Sequence, residues 1–293
     1  MSFSLLFAQL INGLQTGSVY ALVALGYSMV YGIIKLLNFA HGDIIMVGAY
    51  MVYYAIASFA LPPIVAIILA VGVSTALGVL VEKVAYTPLR SAPRLSLLIT
   101  AIGVSFLLEN GAQLIFGADQ KSMGSLITGT ASLGGMKISL AAIVTILVSV
   151  GIMILLSFVV NKTKMGKAMR AVSEDKGAAT LMGINVNFTI SMTFAIGSGL
   201  AAIAGVLLCT AYPTLMPTTG SMPGIKAFTA AVFGGIGSIP GAMIGGILLG
   251  VIEILARAYI SSELADAIVF GVLIVVLIFR PTGLLGKQIH EKV

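Results

Sequence analysis

Long apolar stretches separated by short polar clusters dominate the chain. Cutting at those clusters gives apolar runs at 6–32, 41–60, 62–82, 95–117, 139–160, 187–211, 225–236, 241–258 and 265–279. The stretch from Leu140 to Val160 holds no ionisable residue, and about 20 apolar residues suffice for a helix to cross a bilayer core. A transmembrane barrel would show short alternating segments instead, so the continuous runs predict helices. The run at 225–236 is too short to span alone and leads into Gly234-Gly235-Ile236-Gly237-Ser238-Ile239-Pro240-Gly241. That pattern predicts a broken or re-entrant element, with the next helix starting at the turn. The expected fold is an all-α integral membrane protein: a polytopic helical bundle of about 8–9 membrane segments, built as one domain over 1–293.

Composition supports the same class. Of the 293 residues 59% are hydrophobic and 9% charged, against about 25% charged in a soluble domain, so no polar shell is available. The net charge of +6 would suit nucleic acid if it formed a patch, but the basic residues gather mainly in short connections. With 161–187 placed in the cytoplasm, all Lys and Arg except Lys121, Lys137, Lys226 and Arg257 fall inside. This distribution predicts an outside N-terminus and a cytoplasmic C-terminus. The first positive charge is Lys35, so the basic start of a cleaved signal peptide is missing and the N-terminus is expected to remain as the first span. Cys209, the single cysteine, sits in an apolar run, which leaves neither a disulfide framework nor a Cys-based metal site. No GxxxxGK[ST] motif occurs; any ATP dependence would come from a partner, and the chain is expected to bind no cofactor or metal and to catalyse no reaction.

The most informative polar stretch lies within 162–187. Met165, Met169, Val172, Ala179 and Met182 recur near multiples of 3.6 and form one stripe of an amphipathic helix. Arg170 and Glu174 are spaced i, i+4 on its charged side, and Gly183 suits a helix terminator. Such a helix could rest on headgroups, connect two spans through solvent, or seat its Met and Val stripe in the groove of another protein.

The pattern Gly-Lys-Ala-Met-Arg-Ala…Glu-Asp…Ala-Ala…Met-Gly-Ile-Asn over 166–185 resembles the loop through which ABC-importer permeases engage their ATPases. Three further stretches resemble one family in that class. They are Leu37-Asn-Phe-Ala-His-Gly-Asp43 with Gly48-Ala-Tyr50, Phe233-Gly-Gly-Ile-Gly-Ser-Ile-Pro-Gly-Ala242, and Phe279-Arg-Pro-Thr-Gly-Leu-Leu-Gly286. Together these resemble LivH-type permeases of branched-chain amino acid ABC importers. The resemblance implies a non-catalytic membrane subunit in a bacterial or archaeal cytoplasmic membrane. Its implied partners are a homologous second permease, two cytoplasmic ATPases, and a periplasmic or lipid-anchored binding protein. It also implies an ATPase-coupling role for Gly166, Lys167, Met169, Arg170, Val172, Glu174, Asp175, Ala179, Met182 and Gly183. Importers of urea and short-chain amides use similar permeases, so the substrate stays open. An ion-coupled carrier is the rival class; it would show paired broken helices with convergent carboxylates, and one break is evident here. A passive channel is a third reading.

Polar residues within the runs give the candidate path. Gln9, Asn12 and Thr16, with Gln15 beside them, form a polar stripe on the first helix, and Glu109, Asn110 and Gln113 form another on the fourth. Asn38, His41 and Asp43 cluster at a helix start, where capping of free N–H groups is the plainer role. Backbone breaks at membrane depth survive when buried or lining a cavity, which adds Gly234, Gly237 and Ser238. The translocation-path candidates are therefore Asn12, Gln15, Asn38, His41, Asp43, Glu109, Gly234, Gly237 and Ser238; helix–helix hydrogen bonding is the alternative use of such groups. Glu253 and Arg257 read as a structural i, i+4 pair. Ala242, Gly246 and Gly250, with Gly241 and Gly245, read as a close-packing face.

Overall fold

The computed structural model describes residues 3–90, 92–124, 126–133 and 136–286; Lys287 and Lys292, two of the expected inside charges, lie outside them. The helices are α1 (Phe3–Ile34), α2 (His41–Ala57), α3 (Pro63–Val81), α4 (Arg94–Phe116), α5 (Leu140–Lys162), α6 (Lys164–Glu174), α7 (Lys176–Leu181), α8 (Val186–Ala211), α9 (Ser221–Gly234), α10 (Ile239–Tyr259) and α11 (Ala265–Phe279). A π-helical turn, Glu82–Tyr86, extends α3. The all-α expectation needs one correction. Strands β1 (Lys121–Ser122) and β4 (Thr214–Leu215) pair antiparallel, as do β2 (Thr130–Leu133) and β3 (Met136–Ser139). These short ladders satisfy backbone groups in connections whose apolar content is too low to register as runs.

Among the described residues six helices are long and apolar enough to cross a membrane: α1, α3 with its π turn, α4, α5, α8 and α10. Helices α2, α9 and α11 have 17, 14 and 15 residues. At about 1.5 Å per residue α9 is about 21 Å long, short of a hydrocarbon core of about 30 Å.

Helix α1 is the axis of the bundle. In its most apolar window 89% of residues are buried, against 17% for α4, whose Leu107, Leu114 and Ile115 are exposed. The reason α10 can lie so close to α1 is the glycine face read from sequence. A Cβ on Gly250 would lie 2.2 Å from the Gly17 Cα, and one on Gly246 would lie 2.4 Å from the Ala21 Cα. Gly241 and Gly245 on the neighbouring face do the same for α9, against Gly234 and Ala230.

A second chain break, not evident in the sequence, precedes α2. Helix α1 ends at Ile34; Lys35, the next residue, takes a left-handed φ of 59°, and the chain folds back into the bundle. His41 then lies against Gly26: a Cβ there would be 2.3 Å from its Nε2. Gly26 precedes the end of α1 by two turns, so α2 starts about 12 Å back along the axis. Its first residues meet the start of α9, where a Cβ on Gly220 would sit 2.0 Å from the Gly42 carbonyl oxygen. The N-termini of two short helices therefore converge inside the bundle.

Candidate functional site

At one end of the bundle the segment 162–187 forms two helices, which corrects the single amphipathic helix expected. Thr163 caps α6 by accepting from the Gly166 N–H at 3.2 Å, and Asp175 caps α7 by accepting from the Ala178 N–H at 2.9 Å. The 3.6-residue periodicity runs through this break, so a stripe count alone does not reveal it. Gly166 is needed where α6 crosses the end of α5, since a Cβ would lie 2.1 Å from the Val160 carbonyl oxygen. Gly183, with φ 79°, ends α7, and the Ile184 N–H reaches the Ala179 carbonyl at 3.0 Å, a Schellman-type closure.

From Met165 to Ala179 the stripe faces inward, and its last member, Met182, does not. Met169, Val172 and Ala179 are buried in the main core with Met165 packed beside them, so they are not available to a partner's groove. The apolar side chains that do project are Leu181 and Met182, 90% and 81% exposed. Arg170 does not pair with Glu174 among the described residues. Its guanidinium donates instead to the Val160 carbonyl at 2.5 Å and to Asn161 Oδ1 at 3.4 Å, capping the C-terminal end of α5, where a cation is favoured. Lys167, Glu174 and Asp175 lie on the exposed side. Arg170 and Met169 also line a cleft of about 80 Å³ with Ser28 and Gly32 of α1 and with Gly237. The coupling candidates and the glycine turn thus meet. Ser238 caps α10 through the Gly241 N–H at 3.2 Å, and Gly237 takes φ 87° at the surface.

The turn also joins two of the sequence motifs. The Leu284 N–H donates to the Phe233 carbonyl and the Leu285 N–H to the Gly234 carbonyl, both at 2.9 Å. Gly235 and Gly283 allow this approach; a Cβ on Gly235 would lie 2.4 Å from the Gly286 nitrogen.

A buried carboxylate cluster at this end was missed in the sequence. Glu82 is fully buried and accepts from Thr87 Oγ1 and Ser191 Oγ, both at 2.7 Å, and from Arg90. Arg90 in turn donates to Asn187 Oδ1 at 2.5 Å, fastening the turn after α3 to α8. The only signal was an acid at the end of an apolar run. Lys176 nearby titrates below the ordinary lysine value because of partial burial and the like charges of Arg90 and Lys35.

The second region surrounds the converging helix starts. Ala40, not Asn38 or Asp43, occupies the N-cap position of α2. Asn38 accepts from the Tyr86 hydroxyl at 2.7 Å. His41 packs edge-on against Tyr27, ring centroids 4.7 Å apart, in the crossing of α1 and α8 beside Gly26 and Gly197. Both are packing groups here. Asn38 Nδ2, His41 Nε2 and Asp43 Oδ2 are all buried without a hydrogen-bond partner, but Asp43 also lines a cleft of about 140 Å³ whose wall includes neither of the other two. Tyr27, Phe39, Gly42, Ile102, Ser105, Phe106, Ser221, Gly224 and Ile225 complete the wall. Glu109 accepts a hydrogen bond from Ser221, which lines this cleft together with Ser105. A carboxylate at bilayer depth costs about 2.5–3.5 kcal/mol. Its place in the first turn of α2 returns about 0.3–1 kcal/mol from the helix dipole; the rest is met by a partner or avoided by staying protonated.

Toward the other end, Lys226 of α9 is a buried residue and not a loop charge. It binds Glu253 at 2.8 Å and Asp266 at 2.6 Å, while Arg257 binds Glu253 at 2.5 Å and Tyr20 donates to Glu253 at 2.8 Å. The expected Glu253–Arg257 pair is one part of this network. Tyr20, Lys226, Glu253 and Arg257 line a cleft of about 330 Å³ together with Thr16, Thr218 and Thr219. Asn12 is exposed and Gln15 half-buried on α1; neither joins the Asp43 cleft. Asn110 donates to its own helix at the Phe106 carbonyl, 2.7 Å.

Comparison with known proteins matches residues 9–277 to the family model described as branched-chain amino acid transport system / permease component. The chain is 45% identical to the high-affinity branched-chain amino acid transport system permease protein BraD of Pseudomonas aeruginosa, over 97% of each chain. It is 44% identical to the corresponding permease protein LivH of Escherichia coli K12, again over 97% of each. A probable branched-chain amino acid transport permease of Methanocaldococcus jannaschii is 29% identical over 92% of this chain and 89% of its own. Six apolar helices of spanning length and a match of this extent make the chain a multi-pass membrane protein, a member of the family of branched-chain amino acid transport permease components.

Proposed function

We propose that this protein is the membrane-spanning permease subunit of an ABC importer, carrying branched-chain amino acids by alternating access. The observation that carries this reading is the likeness over 97% of the chain to permeases named for that transport. ATP is hydrolysed by two partner ATPases, and the chain itself binds no cofactor. A second permease of related sequence and a substrate-binding protein complete the transporter.

The end bearing α6 and α7 faces the cytoplasm. Its basic residues Lys35, Arg90 and Lys176 support this orientation, with the N-terminus outside and the C-terminus inside. Nine apolar helices then serve as membrane segments, with α2 and α9 as broken elements that begin within the bilayer. The ATPase contact is the exposed tip of α7, Leu181 and Met182, and the inward stripe of α6 carries the motion to α1. This assignment differs from docking through the stripe itself, because Met169 and Val172 are already covered.

The test is uptake into proteoliposomes holding the complete transporter and its binding protein. Leucine, isoleucine and valine are expected to be taken up in an ATP-dependent manner, and urea and aromatic amino acids are not. ATP-independent uptake, or uptake of urea in preference to leucine, would overturn the proposal.

A further inference from the structure

The Asp43 cleft carries an inference that rests on, and sharpens, the transport reading. We propose that Asp43 receives the α-ammonium group of the substrate, making the cleft between α2, α4 and α9 a station on the path for primary ammonium compounds with an aliphatic tail.

The chemistry follows from what surrounds the carboxylate. Asp43 is 2% exposed and one of its oxygens has no partner. The dipole of α2 favours a negative group at that position, so Asp43 is held as an acceptor with spare capacity. Among the described residues no Lys or Arg pairs with it; the buried Lys226 is committed to Glu253 and Asp266. Glu109 is itself engaged by Ser221, another residue of the cleft wall. An ammonium, with three donors and a full positive charge, answers the unpartnered oxygen and would hold the carboxyl as its anion. Urea or a simple amide would supply donors but no charge.

The rest of the wall suits the other end of such a molecule. Phe39, Ile102, Phe106 and Ile225 form an apolar side, and Phe106 and Ile225 are partly exposed on the face of the bundle. A metal ion is the poorer occupant. No group of three or more His, Cys, Asp or Glu side chains suited to a metal occurs among the described residues.

The test uses the complete transporter in proteoliposomes with leucine-loaded binding protein. Asp43→Asn is expected to lower maximal uptake by at least about tenfold, as loss of a buried charge partner does, while Asp43→Glu keeps it within about threefold. A charge-sign readout separates recognition from folding. In a Cys209→Ser background, Asp43→Cys is modified with carboxyethyl or with aminoethyl methanethiosulfonate. Only the carboxylate reagent should restore uptake, and leucine should slow both modifications. Asp43→Asn uptake equal to wild type, or equal effects of the two reagents, would overturn the assignment while leaving leucine transport intact. Wild-type uptake of urea without leucine would instead overturn the transport reading and the ammonium assignment together.

Discussion

Single residues carry unequal weight according to what water can reach. Glu253 and Lys226 have side chains only 1% and 4% exposed, whereas Arg257 is 38% exposed. Removing one member of a buried pair strands the other, at about 3–5 kcal/mol, while an exposed pair contributes about 0–1 kcal/mol. Glu253→Gln should therefore lower stability by about 3 kcal/mol, the low end because Asp266 still holds Lys226. Arg257→Gln should cost about 1 kcal/mol or less. Thermal unfolding in nanodiscs checks the order, and equal losses would count against the network. The i, i+4 half of this cluster was legible because both residues share a helix. Lys226 and Asp266 were not, because α9 and α11 approach α10 only after folding. Asp43 was legible as an intramembrane acid, but its missing partner is a three-dimensional fact.

At the scale of elements, the periodic stripe of Met165 to Met182 predicted a helix, and a stripe says which residues are covered but not by what. The structure covers Met169 with its own core. Met169→Ala should cost about 2–5 kcal/mol of stability. Leu181→Asp with Met182→Asp should leave the permease's melting temperature unchanged and sharply reduce co-purification with the ATPases; retained co-purification would exclude the α7 tip as the contact. Asp175→Ala removes the cap of α7 and should weaken it by about 1 kcal/mol, seen as faster hydrogen exchange at 178–182. Lys176 adds a pH dependence to the same helix. Its pKa in the folded chain lies below the ordinary 10.5, so between that lowered value and 10.5 the unfolded chain binds more protons. Stability should rise with pH across this window, and a Lys176→Met variant should lack the rise in paired melting curves. The corner of α5 and α6 could be anticipated from Gly166 alone only by knowing that Val160 lies beneath it.

Across the whole molecule, the nine apolar runs located every long helix to within a few residues because bilayer-length apolarity is a strong signal. The inward return of 35–40 escaped notice because a loop buried in protein has no compositional mark of its own. The glycines of α10 were legible as a packing face, and their partner helix was not. Their contacts predict a contrast. Gly250→Val meets Gly17 backbone atoms that cannot yield and should cost at least about 1–3 kcal/mol. Gly72→Ala and Gly111→Ala, where a Cβ meets nothing within 4 Å, should be neutral or gain up to about 1 kcal/mol from helix propensity. Yield of monodisperse protein and its melting temperature measure both.

The hydrogen bonds from Leu284 and Leu285 to Phe233 and Gly234 also set an order of events during synthesis. The turn between α9 and α10 obtains those backbone partners only after α11 has been made and inserted. Until then the carbonyls of Phe233 and Gly234 wait for their donors, so a nascent chain stalled before position 284 holds an unfinished turn beside Gly237 and Arg170. Closure of the corner therefore waits on residues made after α11, and a chain truncated ahead of 284 should leave it open.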